Sequence, residues 1–528
     1  MDRRTFMGLG LGIAGGLHLL PLAAGAQESR TLTMAVATPP TSLDPHFQDA
    51  YISVQAIQQI FSALLFDESR GRASPNLATG YTIIDPVTWE VKLRQGVTFH
   101  DGTPFQAEDV VFSYERVPNV IGAAAPFTAS VRDIERIEIV DAGTVRFHLK
   151  SPDPLFAWRL TQVAMLSRTI HANATTADFT SGKVAIGTGP YRYVGYEAGE
   201  RLRLEAVPGH WWGEQAFEKV TIRYISDPGA RLAALRSGDV DIVDAVPTQD
   251  AAMIGNDPAF TLFETPSYMT VFLFPDSSRD QTPLATDAAG KVLDVNPMKD
   301  LRVRRAISLA VDRAAIVARL MSGRATVADQ MASPEAPDRA SGLPALDLDI
   351  EEAKKLMAEA GYADGFSLTV NGPNGFFAND ANILQAVAQG LSRIGIKAQV
   401  DVSPASVFLS KATAREFSLF LAYFNSPFAS IALQYLAMTH NPDLGNGSSN
   451  RQRYSNPEVD ELMTAALNEA DPERHKALVG EAMAKVIEDR GLIPILYLNA
   501  IWAGKADKLS FNANPMLHSS AFYARNPS

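Results

Sequence analysis

Residues 349–402, DIEEAKKLMAEAGYADGFSLTVNGPNGFFANDANILQAVAQGLSRIGIKAQVDV, set two helices and two strands in one run. Asp349 with Glu352 three residues on is an N-cap pair. Ile350, Ala353, Leu356, Met357 and Ala360 then line one apolar face, and Gly361 closes the helix. Phe366, Leu368 and Val370 alternate as a strand; Ile383, Leu384, Val387, Leu391 and Ile394 stripe a second helix that ends at Gly395; Ile396, Ala398, Val400 and Val402 alternate again. Strand, helix, strand at this spacing is a βαβ crossover, so this part of the chain is expected to hold a parallel sheet with its helix on one face.

Outward from that unit the two periods keep mixing. Leu32, Met34 and Val36 alternate, as do Trp89, Val91 and Leu93, while Val145, Phe147 and Leu149 form the return arm of a hairpin turning at Asp141-Ala142-Gly143. Ser403-Pro404 starts another helix, Phe417 to Tyr423 is a buried strand, and Pro457 to Asp489 carries two amphipathic helices. Ile493 to Trp502 then returns as an apolar strand. The class is α/β, mixed with α+β, and a last strand after so long a helical excursion describes a chain that leaves one lobe and re-enters it.

The first 26 residues read as a leader. Asp2-Arg3-Arg4-Thr5-Phe6-Met7 is charged, Gly8 to Leu22 is apolar, and Ala24-Gly25-Ala26 is a cleavage site of the A-x-A type. The Arg3-Arg4 pair followed by Phe6 fits a twin-arginine leader, and an ordinary secretory leader that carries two arginines is the other reading. There is no cysteine among the 528 residues, which excludes disulfides, thiolate metal sites, a cysteine nucleophile and a lipid-modified N-terminal cysteine. A free periplasmic protein of a Gram-negative cell is the expectation. Removing the leader takes the formal charge from −12 to −13, a balance that argues against nucleic acid or anionic lipid as partner. No later stretch is long and apolar enough to span a bilayer.

Catalytic signatures fail on context. Gly10-Leu11-Gly12-Ile13-Ala14-Gly15 fits G-x-G-x-x-G, but no strand precedes it and it lies in the leader, so it is no dinucleotide site. The nine histidines stand singly, with no pair three or four apart to put two ligands on one helix face. No catalytic residue, metal ligand or cofactor is assigned.

One run is specific. Trp89-Glu90-Val91-Lys92-Leu93-Arg94-Gln95-Gly96-Val97-Thr98-Phe99-His100-Asp101-Gly102-Thr103-Pro104-Phe105, continued by Ala107-Glu108-Asp109-Val110, resembles the family 5 solute-binding proteins, the dipeptide, oligopeptide and nickel-type receptors of ABC importers. Gly187-Thr188-Gly189-Pro190-Tyr191 with Trp211-Trp212, residues 231–241 (RLAALRSGDVD), residues 300–313 (DLRVRRAISLAVDR), Glu359-Ala360-Gly361-Tyr362 and Ile493-Pro494-Ile495-Leu496-Tyr497 follow in the family's order and extend the likeness over nearly the whole mature chain. Each also has a structural reading: turns at Gly102 and Gly189, space-filling by the tryptophans, ion pairs for Arg302, Arg304 and Arg305 on a helix at the lobe crossing.

The resemblance implies a periplasmic-binding-protein-like fold of two lobes with a hinge and an interlobe ligand cleft. The expected bounds are 27–268 with the return 496–528 for lobe one and 269–495 for lobe two, with crossings near Pro266 to Phe274 and Ile493 to Trp502. It further implies a monomer that carries a small organic solute to membrane permease subunits. Peptide receptors of the family hold the α-ammonium with an aspartate after the strand corresponding to Phe417–Tyr423, and dipeptide-type receptors hold the carboxylate with an arginine in the loop corresponding to Asn371–Asp380. Neither residue is present here. The expected ligand contacts are Phe376 and Phe377 from one loop and Tyr423, Asn425 and Phe428 from the other, a set of aromatic faces and an amide that suits a neutral or weakly polar solute. Packing of Phe376 and Phe377 into the lobe's own core is the competing reading. Two other functions stand beside this one: a receptor for a metal chelate or haem-like ligand on the same fold, and a twin-arginine-exported oxidoreductase, for which the mature chain offers no second glycine-rich strand-to-helix turn.

Cleavage after Ala26 makes Gln27 the first residue of the exported protein. Intact-mass measurement on exported material is expected to show that N-terminus, and a retained leader or a lipid adduct would contradict it.

Overall fold

The computed structural model describes residues 30–48, 51–123, 127–287 and 289–527. The leader, its arginine pair and its glycine motif lie outside the described residues.

The crossover unit forms as its periodicity dictates. Strands Phe366–Asn374 and Ile396–Pro404 pair in parallel from Phe366↔Ile396 to Asn374↔Pro404, and helix Asp380–Ser392 connects them. Asp349 caps helix Ile350–Glu359 by accepting from the Glu352 amide at 2.9 Å, replacing one of the amide partners that a first helical turn lacks.

These strands belong to a twelve-stranded sheet that runs through the whole molecule. At its middle, strand Phe260–Pro275 pairs antiparallel with Ile493–Lys505, from Phe260↔Lys505 to Leu273↔Ile493. On one side of this pair lie strands Leu419–Asn425 and Phe366–Asn374; on the other lie Ile242–Val243, Thr31–Val36, Lys219–Tyr224, Arg201–Ala206 and Tyr191–Glu197. The register slips between Pro266 and Thr270, where the Ser267 hydroxyl donates to the Leu498 carbonyl at 2.7 Å and takes the Met269 amide at 3.1 Å. A bulge there leaves the ladder without its regular cross-links while a side chain satisfies the freed groups.

The apolar clusters part at the same place. Two large clusters draw every member from residues 269–498. Three others draw theirs from residues 32–254 and 500–524. A separate four-stranded sheet, in the order Ala78–Asp85, Thr88–Leu93, Thr144–Leu149, Ile134–Asp141, packs Trp89, Val91, Val145 and Phe147 against Val110, Tyr114 and Phe156.

Two motif readings need correction. Gly189 is kept small by crowding and not by a turn, since a Cβ there would lie 2.5 Å from the Gln59 carbonyl oxygen. Helix Leu301–Leu309 sits in the core beyond the crossing, because Val303, Ala306 and Ile307 are fully buried there. Arg302 does pair with Asp300, at 2.5 Å, whereas Arg304 donates to the carbonyls of Met298, Lys299 and Asp489 at 2.8–3.0 Å. Arg313 does the same more deeply: 3 % exposed, it serves the carbonyls of Pro494, Ser308 and Leu346 at 2.7–3.0 Å and so ties this region to the return strand.

Arg313→Met removes donors from several buried carbonyls at once and is expected to cost about 3 kcal/mol of stability in urea unfolding. A loss below about 1 kcal/mol would contradict that role.

Candidate functional site

A cavity of about 670 Å³ lies between the two halves of the molecule, next to the crossing. From residues 269–495 its wall takes the ends of two adjacent sheet strands: Gly375 and Phe376 follow Phe366–Asn374, and Tyr423, Phe424 and Asn425 end Leu419–Asn425. From the other half come Gln58, Phe66, Asp67, Trp158, Arg159 and Trp212, with His518 from the C-terminal tail. Strand C-terminal ends are where α/β sheets leave room for ligands, because the chain diverges into loops there.

Local chemistry fixes these loops. The Asp380 carboxylate, buried at the start of helix Asp380–Ser392, accepts the amides of Gly375, Phe376 and Phe377 at 3.2, 2.7 and 3.3 Å. That clamp sets the Phe376 ring 4.9 Å from Tyr423. In the other loop, Asp338 arrives from a distant segment to cap helix Ala429–Leu436, accepting the amides of Ala429 and Ser430 at 2.6 and 2.9 Å. A carboxylate thus reaches the loop that has none of its own, but it is consumed by the helix N-terminus and does not line the cavity.

Of the five expected contacts, Phe376, Tyr423 and Asn425 line the cavity together. Phe377 stands behind them, edge-on to Tyr423 at 5.5 Å and packed on the core of its own half. Phe428 is buried against the opposite half, edge-to-face with Trp158 at 5.4 Å and clustered with Leu155 and Ile431. The Asn425 Oδ1 is buried with no donor. An orphan acceptor of this kind costs about 1–3 kcal/mol.

The first half's contribution has almost no local signal in the sequence. Trp212 fills space as expected, packed on Phe66 and Phe522, and also lines the cavity; Trp211 fills space under the Arg94 guanidinium at 4.9 Å. Asp67 and Trp158 stand far apart in sequence, and only folding brings the indole Nε1 to donate to the carboxylate at 3.1 Å. The one local signal was an acid directly after the apolar run Leu64-Leu65-Phe66.

The charges here are uneven. Burial works against the Arg159 cation, but the Asp153 carboxylate outweighs it and raises its pKa; Arg159 donates to Asp153 and, at 3.0 Å, to the Ala129 carbonyl. Burial drives His518 down to about 4, so its ring is neutral at physiological pH, with Nδ1 accepting from Gln58 at 3.1 Å. Burial pushes the Tyr423 hydroxyl up to about 12. It also raises the Asp67 carboxyl, against hydrogen bonds from the Ser69 amide and Trp158.

Around the cavity the halves touch. Arg70 pairs with Glu335, Asn379 donates to Thr248 Oγ1 at 3.1 Å, and Gly71 lies so close to the second half that a Cβ on it would meet Pro337 Cγ at 2.5 Å and Phe428 at 3.1 Å. Among the described residues no helix is long and apolar enough to cross a membrane.

The family model described as bacterial extracellular solute-binding proteins, family 5 Middle, matches residues 72–445. The glutathione-binding protein GsiB of Salmonella typhi is 28 % identical over 500 residues, covering 92 % of each chain. The periplasmic binding protein DppA of Helicobacter pylori, solved with the peptide STSA, superposes with a TM-score of 0.77 at 20 % identity, over 94 % of this chain and 98 % of its own. NikZ of Campylobacter jejuni, solved with Ni(L-His), gives 0.77 at 23 % identity, over 94 % and 99 %. With a family match over more than half its length, a two-lobed fold and a cavity between the lobes, this chain belongs to the bacterial extracellular solute-binding proteins of family 5, the solute-binding components of ABC importers.

Proposed function

We propose that this protein works in the periplasm as a monomer, encloses one small organic solute between its lobes, and delivers it to the membrane permease in the closed form. The leader over residues 1–26 is its route out of the cytoplasm. Lobe one is 27–268 with the return 496–528, and lobe two is 269–495, a division that the separate apolar clusters support except that Leu496 and Leu498 pack with lobe two. The observation that carries the proposal is that the cavity wall is shared: neither lobe makes the site alone.

Sharing gives the mechanism. A solute that touches both lobes binds the closed arrangement better than the open one, and its differential affinity is what shifts the population. Phe376, Tyr423 and Asn425 hold it from lobe two by ring faces and an amide, while Phe377 braces Tyr423 and Phe428 braces Trp158. The GsiB relatives, named for glutathione, favour an organic, peptide-type solute over other classes.

Small-angle scattering on protein purified natively from periplasm should show a smaller radius of gyration than the same protein stripped of small molecules by unfolding and refolding. Equal radii after a solute has demonstrably been removed would contradict hinge closure. Gly71→Ala and Gly102→Ala both place a side chain at positive φ, +71° and +90°, but only Gly71 faces the other lobe. The Gly71 variant should fail to compact while the Gly102 variant behaves as wild type; equal behaviour would remove the interlobe contact from the account.

A further inference from the structure

We infer that the solute held between the lobes is an organic cation whose ammonium group seats against Asp67 of lobe one. The inference rests on the cavity being the ligand site.

Asp67 ends the short strand Leu65–Asp67 and lines the cavity. One carboxylate oxygen takes the Ser69 amide at 2.7 Å and the other takes the Trp158 indole at 3.1 Å. Both donors are neutral, and each oxygen keeps a further acceptor site. Among the described residues no lysine, arginine or histidine nitrogen forms an ion pair with it, and its nearest charged influence, Glu68, has the same sign. A half-buried carboxylate that lines a cavity without a counter-cation is stabilised by a cation brought by the occupant.

The remaining ionisable groups of the wall do not offer an alternative partner. Arg159 is neutralised by Asp153, and His518 is uncharged. No lysine and no second arginine is among the lining residues. With the Arg159–Asp153 pair counted as neutral, the enclosed space keeps the Asp67 charge uncompensated, so an anionic occupant would meet repulsion and a cationic one attraction. The same cavity is also lined by Phe66 and Trp212, whose rings lie 4.8 Å apart, and by Trp158, so aromatic surface is available to a cation elsewhere on the wall.

Asp67 also shapes a turn through the Ser69 amide, but that role uses one oxygen and does not require the second to face a cavity. The site is separate from the lobe-two loops, where the sequence carries asparagine at 425 and no acid from 417 to 442.

Calorimetry on the stripped mature protein with three related probes decides this: phenylalanyl-leucine amide, which carries one ammonium; its N-acetyl form, which is neutral; and N-acetyl-phenylalanyl-leucine, which carries one carboxylate. The ammonium probe should bind about tenfold or more tightly than either acetylated one, as expected for a charge-assisted contact in an enclosed site. Asp67→Asn should bring that ratio to about one, while Trp158→Phe, which removes the neutral donor and keeps the carboxylate, should preserve it. Acetylated probes binding as tightly as the amine, or an Asp67→Asn variant that keeps the preference, would overturn the inference and leave solute binding intact. If no probe binds, mass spectrometry of the solute released from natively purified protein decides: a cationic molecule supports the inference and a neutral or anionic one overturns it. Release of no solute, with no probe bound, would overturn both this inference and the solute-receptor reading.

Discussion

Strands Phe260–Pro275 and Ile493–Lys505 run antiparallel through nearly their whole lengths, and both lobes depend on that pairing. Each strand begins in one lobe and ends in the other, so one ladder supplies the middle of a twelve-stranded sheet and the only two strands common to both ends of it among the described residues. A continuous ladder would be stiff. The bulge at Ser267–Met269, with the Ser267 hydroxyl standing in for missing ladder bonds, places the irregularity where the apolar clusters also part. The lobes are therefore joined through backbone, the large apolar clusters stop at the crossing, and only the small cluster of Leu155, Phe428 and Ile431 spans the cleft among the described residues, which is the combination a hinge needs: few packed contacts to break and a covalent path that survives the motion.

Closure is then decided by what meets across the cavity. Phe428 with Ile431 against Trp158 and Leu155, Arg70 with Glu335, and the close approach of Gly71 to Pro337 meet there, and an exposed ion pair such as Arg70–Glu335 contributes little by itself. A receptor that stayed closed by itself could not admit its solute; one with no interlobe contact would gain nothing from binding beyond the pocket itself.

Elements whose cause is local were legible in the sequence. The crossover unit, the Asp349 cap and the Asp141-Ala142-Gly143 hairpin depend on neighbours within a few residues, and periodicity reports those directly. The positions of Phe376 and Tyr423 at strand ends followed for the same reason. What depended on distant partners was not legible. Gly189 reads as a turn residue until the Gln59 carbonyl is seen against it, and Arg304 reads as an ion-pair partner until it is found serving carbonyls. Asp338 at the helix Ala429–Leu436 and Asp67 beside Trp158 are likewise joined to their partners only by the fold. The missing acid of lobe two was visible as a gap in the sequence; the acid of lobe one shows only as a charge after the apolar run Leu64-Leu65-Phe66, and nothing near it in the chain says that it faces the cavity.

A crystal structure of the protein purified natively from periplasm, without added ligand, addresses the central claim most directly. The account predicts density for one small organic molecule in the cavity, in contact at once with Asp67 or Trp158 from lobe one and with Tyr423 or Phe376 from lobe two. A solute bound elsewhere on the chain, or one held by a single lobe with the other standing clear, would contradict it.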